Sequence, residues 1–223
     1  MQNLREHHIP VSRTARYYTL GDPAASAREL WYVLHGYAQL GARFLRRFTT
    51  LDDGSRLIVA PEALSRFYVE RPGRSHAQAP IGASWMTRED RLSEIDDYIR
   101  YLDALHAQII QPLAGWHPRI TVLGFSQGAA TATRWVTHGR ARIDRLILWG
   151  GLVPPDAELA RGHAALRNVP LTIVVGERDH YITNTALADE SARLDAAGIP
   201  FEVITFDGGH VISRSVFSRL GEG

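Results

Sequence analysis

The pentapeptide Gly124-Phe125-Ser126-Gln127-Gly128 sets one hydroxyl between two glycines, after the apolar run 119–125 and before an alanine-rich stretch that begins at Ala129. A strand that turns sharply into a helix here would hold the serine in a strained backbone with its oxygen outward. The flanking glycines would keep side chains out of that crossing. A serine hydroxyl is a weak nucleophile at neutral pH, so acyl transfer needs a base to take its proton and an acid to orient that base. The pattern G-x-S-x-G alone arises by chance in about one such chain in ten, and serine is also a common helix cap. Its meaning therefore depends on what lies downstream.

Two later apolar runs end in the required groups: 171–179, LTIVVGERD, ends in Asp179, and 201–210, FEVITFDGGH, ends in His210. Serine, acid and histidine in this order, each after a strand, is the arrangement of serine enzymes built on an α/β sheet. Among the ten histidines, His138 and His163 follow no apolar run. His180 directly abuts Asp179 and is the runner-up base, while Glu177 and Asp207 are the nearest rivals to Asp179 as the acid. The oxyanion of a tetrahedral intermediate also needs donors. The backbone N–H of Gln127 supplies one, and that of Tyr37, in the segment 33–41 (VLHGYAQLG), is the candidate for the other. His35 in that segment reads as a residue that braces the loop. Phe125, Leu152, Val153, Ile182, Val211 and Trp85 are, by position, the apolar side chains on which an acyl group would rest.

These groups must be positioned by strands. Runs rich in β-branched and aromatic residues occur at 29–36, 56–63, 119–126, 144–151, 171–179 and 201–210. They are nearly continuous rather than alternating, as expected of parallel strands covered on both faces. Helix-like segments at 41–53, 87–110, 129–139 and 186–198 lie between them. The second opens on Thr87 with Asp90 three residues on, a start like a capping box, and should stop before Pro112. Leu92, Ile95, Ile99, Leu102 and Leu105 form its apolar stripe. The alternation predicts an α/β class with a mostly parallel, doubly wound sheet and ligand sites beyond the carboxyl ends of the strands. The Pro-, Gly- and Arg-containing stretch 60–86 reads as an excursion over one end of the sheet. With no repeat or linker, 1–223 is expected to be one domain.

Composition narrows the function further. Apolar residues make up 45% and charged residues 22% of the 223, an ordinary globular balance. All 25 basic residues are arginine and nearly cancel 24 acidic ones, so there is no overall basic field for nucleic acid. The cluster Arg43, Arg46 and Arg47 has the spacing of a solvated helix face. No apolar run approaches the roughly 18 residues of a membrane span. The N-terminus lacks a secretory pattern, which reads as cytoplasmic. No cysteine is present, which removes disulfides and thiolate chemistry. No H-E-x-x-H or Cys/His cluster suggests a metal, and His7-His8 reads as part of a flexible terminus.

The segments LHGYAQLG, SWMTREDR, GFSQGAA, GERD and GGH, in this order and at these separations, resemble the phospholipase/carboxylesterase family of α/β-hydrolases, over about 31–213. That resemblance implies a small α/β-hydrolase fold without a large separate cap. It further implies a metal- and cofactor-free serine esterase acting on small-molecule esters or thioesters, with no nucleic acid partner and no stable membrane insertion. Residue by residue it implies Ser126 as nucleophile, Asp179 as acid, His210 as base, the Tyr37 and Gln127 amides as oxyanion donors, and Trp85 as a tryptophan beside the site. Two positions depart from the family, which usually has a small or apolar residue in place of Tyr37 and apolar residues then proline where this chain has HYIT from His180 to Thr183. Rival functions are a peptidase or acyltransferase with the same three residues, or a silent binding protein on the same fold.

Overall fold

A computed structural model describes residues 4–22, 27–70, 78–111, 115–155 and 164–220. His163 and Pro112 lie outside them. The strands are β1 (Tyr17–Leu20), β2 (Glu29–Leu34), β3 (Arg56–Pro61), β4 (Ser65–Tyr68), β5 (Ile81–Ser84), β6 (Arg119–Phe125), β7 (Arg145–Trp149), β8 (Leu171–Gly176) and β9 (Phe201–Phe206). Seven of them form one sheet in the order β1-β3-β2-β6-β7-β8-β9. All six apolar runs of the sequence are its parallel strands, and only β1 runs antiparallel.

Helices cover both faces because successive side chains on a strand point to opposite sides. Leu30, Tyr32 and Leu34 of β2 join one core with Ile120, Val122, Leu146, Leu148 and Ile173. The intervening Trp31 and Val33 join the other with Leu123, Phe125, Ile147, Trp149 and Val174. The first core is closed by α2 (Arg91–Ile110), α3 (Gln127–His138) and α4 (Asn184–Ala196). The second is closed by α1 (Gly41–Leu45) with its 3-10 continuation Arg46–Leu51, and by the short α5 (Phe217–Leu220). At the edge, β9 keeps Glu202 and Thr205 exposed, so the expectation of continuous burial holds for the central strands only.

The start of α2 differs from the sequence reading. Helix begins at Arg91, and Asp90 precedes it in left-handed conformation without a side-chain cap. The Thr87 hydroxyl donates instead to Glu94, at 3.1 Å, which spends the capping side chain outside the helix. Leu92, in the first turn and at the margin of the apolar stripe, is exposed, whereas Ile95, Ile99, Leu102 and Leu105 are buried as expected.

The chain winds outward from β2 through β3, then returns across the sheet to β6 and continues the other way to β9. The winding direction reverses between β2 and β6, and a crevice opens beyond their carboxyl ends at such a switch point. The segments that follow these two strands carry Tyr37 and Ser126.

The crossing there is tight. A Cβ on Gly124 would lie 2.2 Å from the carbonyl oxygen of Gly128, and one on Gly128 would lie 2.2 Å from that of Leu34. Backbone cannot yield as a flexible side chain can. Gly128→Ala is therefore expected to lower the unfolding free energy by about 3 kcal/mol. Gly54→Ala, where a Cβ meets nothing within 4 Å but φ is +80°, should cost only about 1–2 kcal/mol. Urea midpoints of the two variants check the difference, and equal losses would mean that the crossing is not the constraint.

Candidate active site

Ser126 directly follows β6 and stands at the N-cap of α3 with φ 55° and ψ −119°, yet its side chain caps nothing. Few non-glycine residues tolerate a positive φ. The strain is held by the backbone around it, because the Ser126 N–H donates to the Trp149 carbonyl at 2.9 Å and the Ser126 carbonyl accepts from Ala129 at 2.9 Å. Serving as a cap would have required the hydroxyl to turn back on the helix. Here the elbow leaves that oxygen to other use.

His210 and Asp179 form the other half of the site. His210 Nδ1 lies 2.8 Å from Asp179 Oδ2. The second oxygen, Oδ1, accepts the Tyr181 and Ile182 N–H groups at 2.9 and 3.2 Å. Burial alone would raise the Asp179 pKa, but the hydrogen bonds from His210, Tyr181 and Ile182 outweigh it and hold the carboxyl below its ordinary value. Of the rivals, Asp207 is exposed and paired with Arg178, and Glu177 is exposed. His180 stacks on Tyr181 instead, with ring centroids 4.2 Å apart.

The loops after β7, β8 and β9 hold this pair next to Phe125 and Gly150. The Trp149 indole donates to the Val211 carbonyl at 2.9 Å and fixes the segment after His210. The Arg178 N–H donates to the Gly208 carbonyl at 2.8 Å and ties the two loops together. Gly150, next to the residue that receives the Ser126 N–H, has no room for a Cβ: it would sit 3.0 Å from His210 Cε1. His210 also packs on Phe125, with centroids 4.9 Å apart. The imidazole thus lies against Phe125, which precedes Ser126, and beside Gly150, which follows the acceptor of the Ser126 N–H.

The loop after β2 is braced from several sides. Its Gly36 abuts the elbow, since a Cβ there would lie 3.2 Å from the Ser126 Cβ. The Gly36 N–H donates to Gln39, while Ala38 and Gln39 exchange backbone hydrogen bonds with Ala83 of β5. The excursion 60–86 therefore does more than cover the sheet: its two-stranded β4–β5 sheet holds this loop in place. Among the described residues, neither the Tyr37 nor the Gln127 backbone N–H donates to another protein group. The Gln127 side chain, which sequence alone gave no role, bonds the Met86 carbonyl at 2.8 Å and the Trp85 N–H at 3.0 Å.

His35 is the fully buried brace expected from the sequence. Nδ1–H donates to the Gly36 carbonyl at 2.8 Å, and Nε2 accepts the Ala63 N–H at 3.0 Å. Burial lowers its pKa, and a proton on Nε2 would confront the Ala63 N–H. The unfolded chain binds that proton near pH 6.5 while the folded one resists it, so stability is fully present above about pH 6.5 and is lost as pH falls below it. His106, whose pKa burial also lowers, adds in the same direction. Urea unfolding between pH 7.5 and 5 should show stability falling with pH, by at most about 1.4 kcal/mol per pH unit for each histidine. His35→Gln should remove one share of it.

The expected acyl surface is only partly accessible. Val211 is 49% exposed, and Leu152 and Ile182 are half-buried. Trp85, Phe125 and Val153 are buried, so they present little surface of their own. Each is occupied by packing: the Trp85 indole donates to the His35 carbonyl at 2.8 Å, and Phe125 stacks between Phe44 and His210. The backbone of Val153 is held by Glu190 and Arg193. The three support the site from behind. At the N-terminus, His8 is bonded to Glu6.

A family model described as serine hydrolase (FSH1) matches residues 31–216. The chain belongs to this serine hydrolase family. No curated protein matches it by sequence. Among solved structures, this serine hydrolase is similar to Zea mays acyl-protein thioesterase 2, at 18% identity and a TM-score of 0.70 over 93% of this chain and 96% of that one. It is similar to a carboxylesterase from Mesorhizobium loti at 16% identity and a TM-score of 0.71, over 94% and 95%. A phospholipase/carboxylesterase from Dyadobacter fermentans shares 19% identity at a TM-score of 0.62, over 95% and 96%. These likenesses establish the α/β-hydrolase fold expected from the sequence. No helix among the described residues is long and apolar enough to cross a membrane.

Proposed function

We propose that this serine hydrolase is a carboxylesterase-type enzyme that cleaves small-molecule carboxylic esters or thioesters through an acyl-enzyme on Ser126. The observation that carries the proposal is the hydrogen-bonded pair of buried Asp179 and half-buried His210 beside a strained serine that caps nothing. With Nδ1–H given to Asp179, the lone pair of His210 Nε2 is free to accept the Ser126 proton as Oγ attacks the carbonyl carbon. The Tyr37 and Gln127 amides stabilise the oxyanion, and one such donor is worth about 3 kcal/mol in the transition state. His210 returns the proton to the leaving oxygen or sulfur. Water, deprotonated by the same imidazole, then releases the acid and restores the serine.

Residues 1–223 act in this proposal as one domain, because one sheet carries every group named. A fluorophosphonate probe should label the protein at Ser126, and p-nitrophenyl acetate should be hydrolysed faster than its anilide counterpart. Labelling elsewhere, or none, would remove the nucleophile. A panel of acyl-chain lengths, run beside an acyl-coenzyme A, distinguishes oxygen from thioester substrates.

A further inference from the structure

Sequence reasoning marked Tyr181 only as part of the departing segment HYIT, yet this side chain is both exposed and fixed. It is 67% exposed, while its ring packs against His210 at 4.6 Å between centroids and against His180 at 4.2 Å. Its N–H is bonded to Asp179, and two residues later the Thr183 hydroxyl caps α4 by accepting the Ala186 N–H at 3.2 Å. The segment 179–183 is therefore anchored at both ends. A phenol on an anchored backbone presents apolar area with little rotamer freedom to lose on binding.

In ester cleavage the histidine delivers a proton to the departing alcohol, so surface beside His210 faces the alcohol portion of the ester. We infer that Tyr181 is a specificity-determining residue that stacks on the alcohol portion of the substrate and selects esters of aromatic alcohols. The inference presupposes the esterase function proposed here. Taking benzyl acetate as the example, the Ser126 Oγ–acyl bond forms and the acyl C–O bond to the benzyloxy group breaks. The proton taken from Ser126 passes through His210 to the benzyloxy oxygen. Benzyl alcohol leaves over the Tyr181 ring, and water later releases acetate. Offset or edge contact between two rings adds a preference beyond that of buried area alone.

The test compares benzyl acetate with cyclohexylmethyl acetate, which share the acyl group and nearly share size and leaving-group basicity. The intact protein should favour the benzyl ester by about fivefold in kcat/KM, the factor typical of one aromatic pair. In Tyr181→Leu the ratio should fall to about one, and in Tyr181→Phe it should persist. A ratio near one in the intact protein, or a ratio unchanged by Tyr181→Leu, overturns the inference. So does an equal fall for both esters, which would mean that Tyr181 acts only by positioning His210. Fluorophosphonate labelling of Ser126 in each variant separates these outcomes from failure of the esterase function itself, which would abolish labelling throughout.

Discussion

Ser126→Ala is expected to lower kcat/KM for ester hydrolysis by about 10⁴-fold or more, since loss of a nucleophile leaves only binding and oxyanion stabilisation. The fold should survive, because every hydrogen bond that shapes the elbow is a backbone bond. Ser126→Gly gives a sharper test. At φ 55° and ψ −119° the strain relieved is worth about 1–3 kcal/mol, against about 0.4–1 kcal/mol of added freedom in the unfolded chain. Relief of strain outweighs that freedom, so the glycine variant should be inactive yet more stable by about 1 kcal/mol. Circular dichroism during urea titration, paired with p-nitrophenyl acetate turnover, measures both. Retained turnover in either purified variant would exclude Ser126, and a less stable glycine variant would mean that the elbow is not strained.

How much of this arrangement was legible in the sequence depended on the range of the determining interaction. The six parallel strands were readable because buried strands must be continuously apolar, and the elbow was readable because backbone at 2.2 Å tolerates only glycine. Strand β1 was not, since its four residues YYTL lie on an edge and are only half-buried. The β4–β5 pair was hidden for a similar reason: SRFY and IGAS form a small two-stranded sheet whose partner, the loop at 38–39, is distant in the chain. At the site, the order Ser126, Asp179, His210 could be read from position. The exposure of Tyr181 and the burial of Trp85, Phe125 and Val153 could not. Apolar character says that a side chain avoids water, and only packing decides whether protein or substrate covers it.

Asp179→Asn should be nearly as damaging as loss of the serine, and the geometry dictates how. Oδ1 faces two backbone donors, Tyr181 and Ile182, while Oδ2 faces His210 Nδ1. An asparagine has one oxygen and one amino group. Placing the amino group at Oδ1 would set it against two N–H donors in a buried site, so the oxygen goes there and the amino group turns to His210. Nδ1 must then accept rather than donate, which moves the ring proton to Nε2, where it cannot receive the proton of Ser126. The expected fall in kcat/KM at neutral pH is about 10³- to 10⁴-fold. Asp207→Asn changes an exposed carboxylate paired with exposed Arg178, and an exposed pair contributes little, so its activity should stay within twofold. Imidazole ¹⁵N shifts give a readout independent of activity: the proton should reside on Nδ1 of His210 in the intact protein and on Nε2 in Asp179→Asn. If the variant lost activity without that exchange of tautomer, Asp179 would be acting through its charge alone. If Asp207→Asn proved the more damaging, the orienting acid would be Asp207.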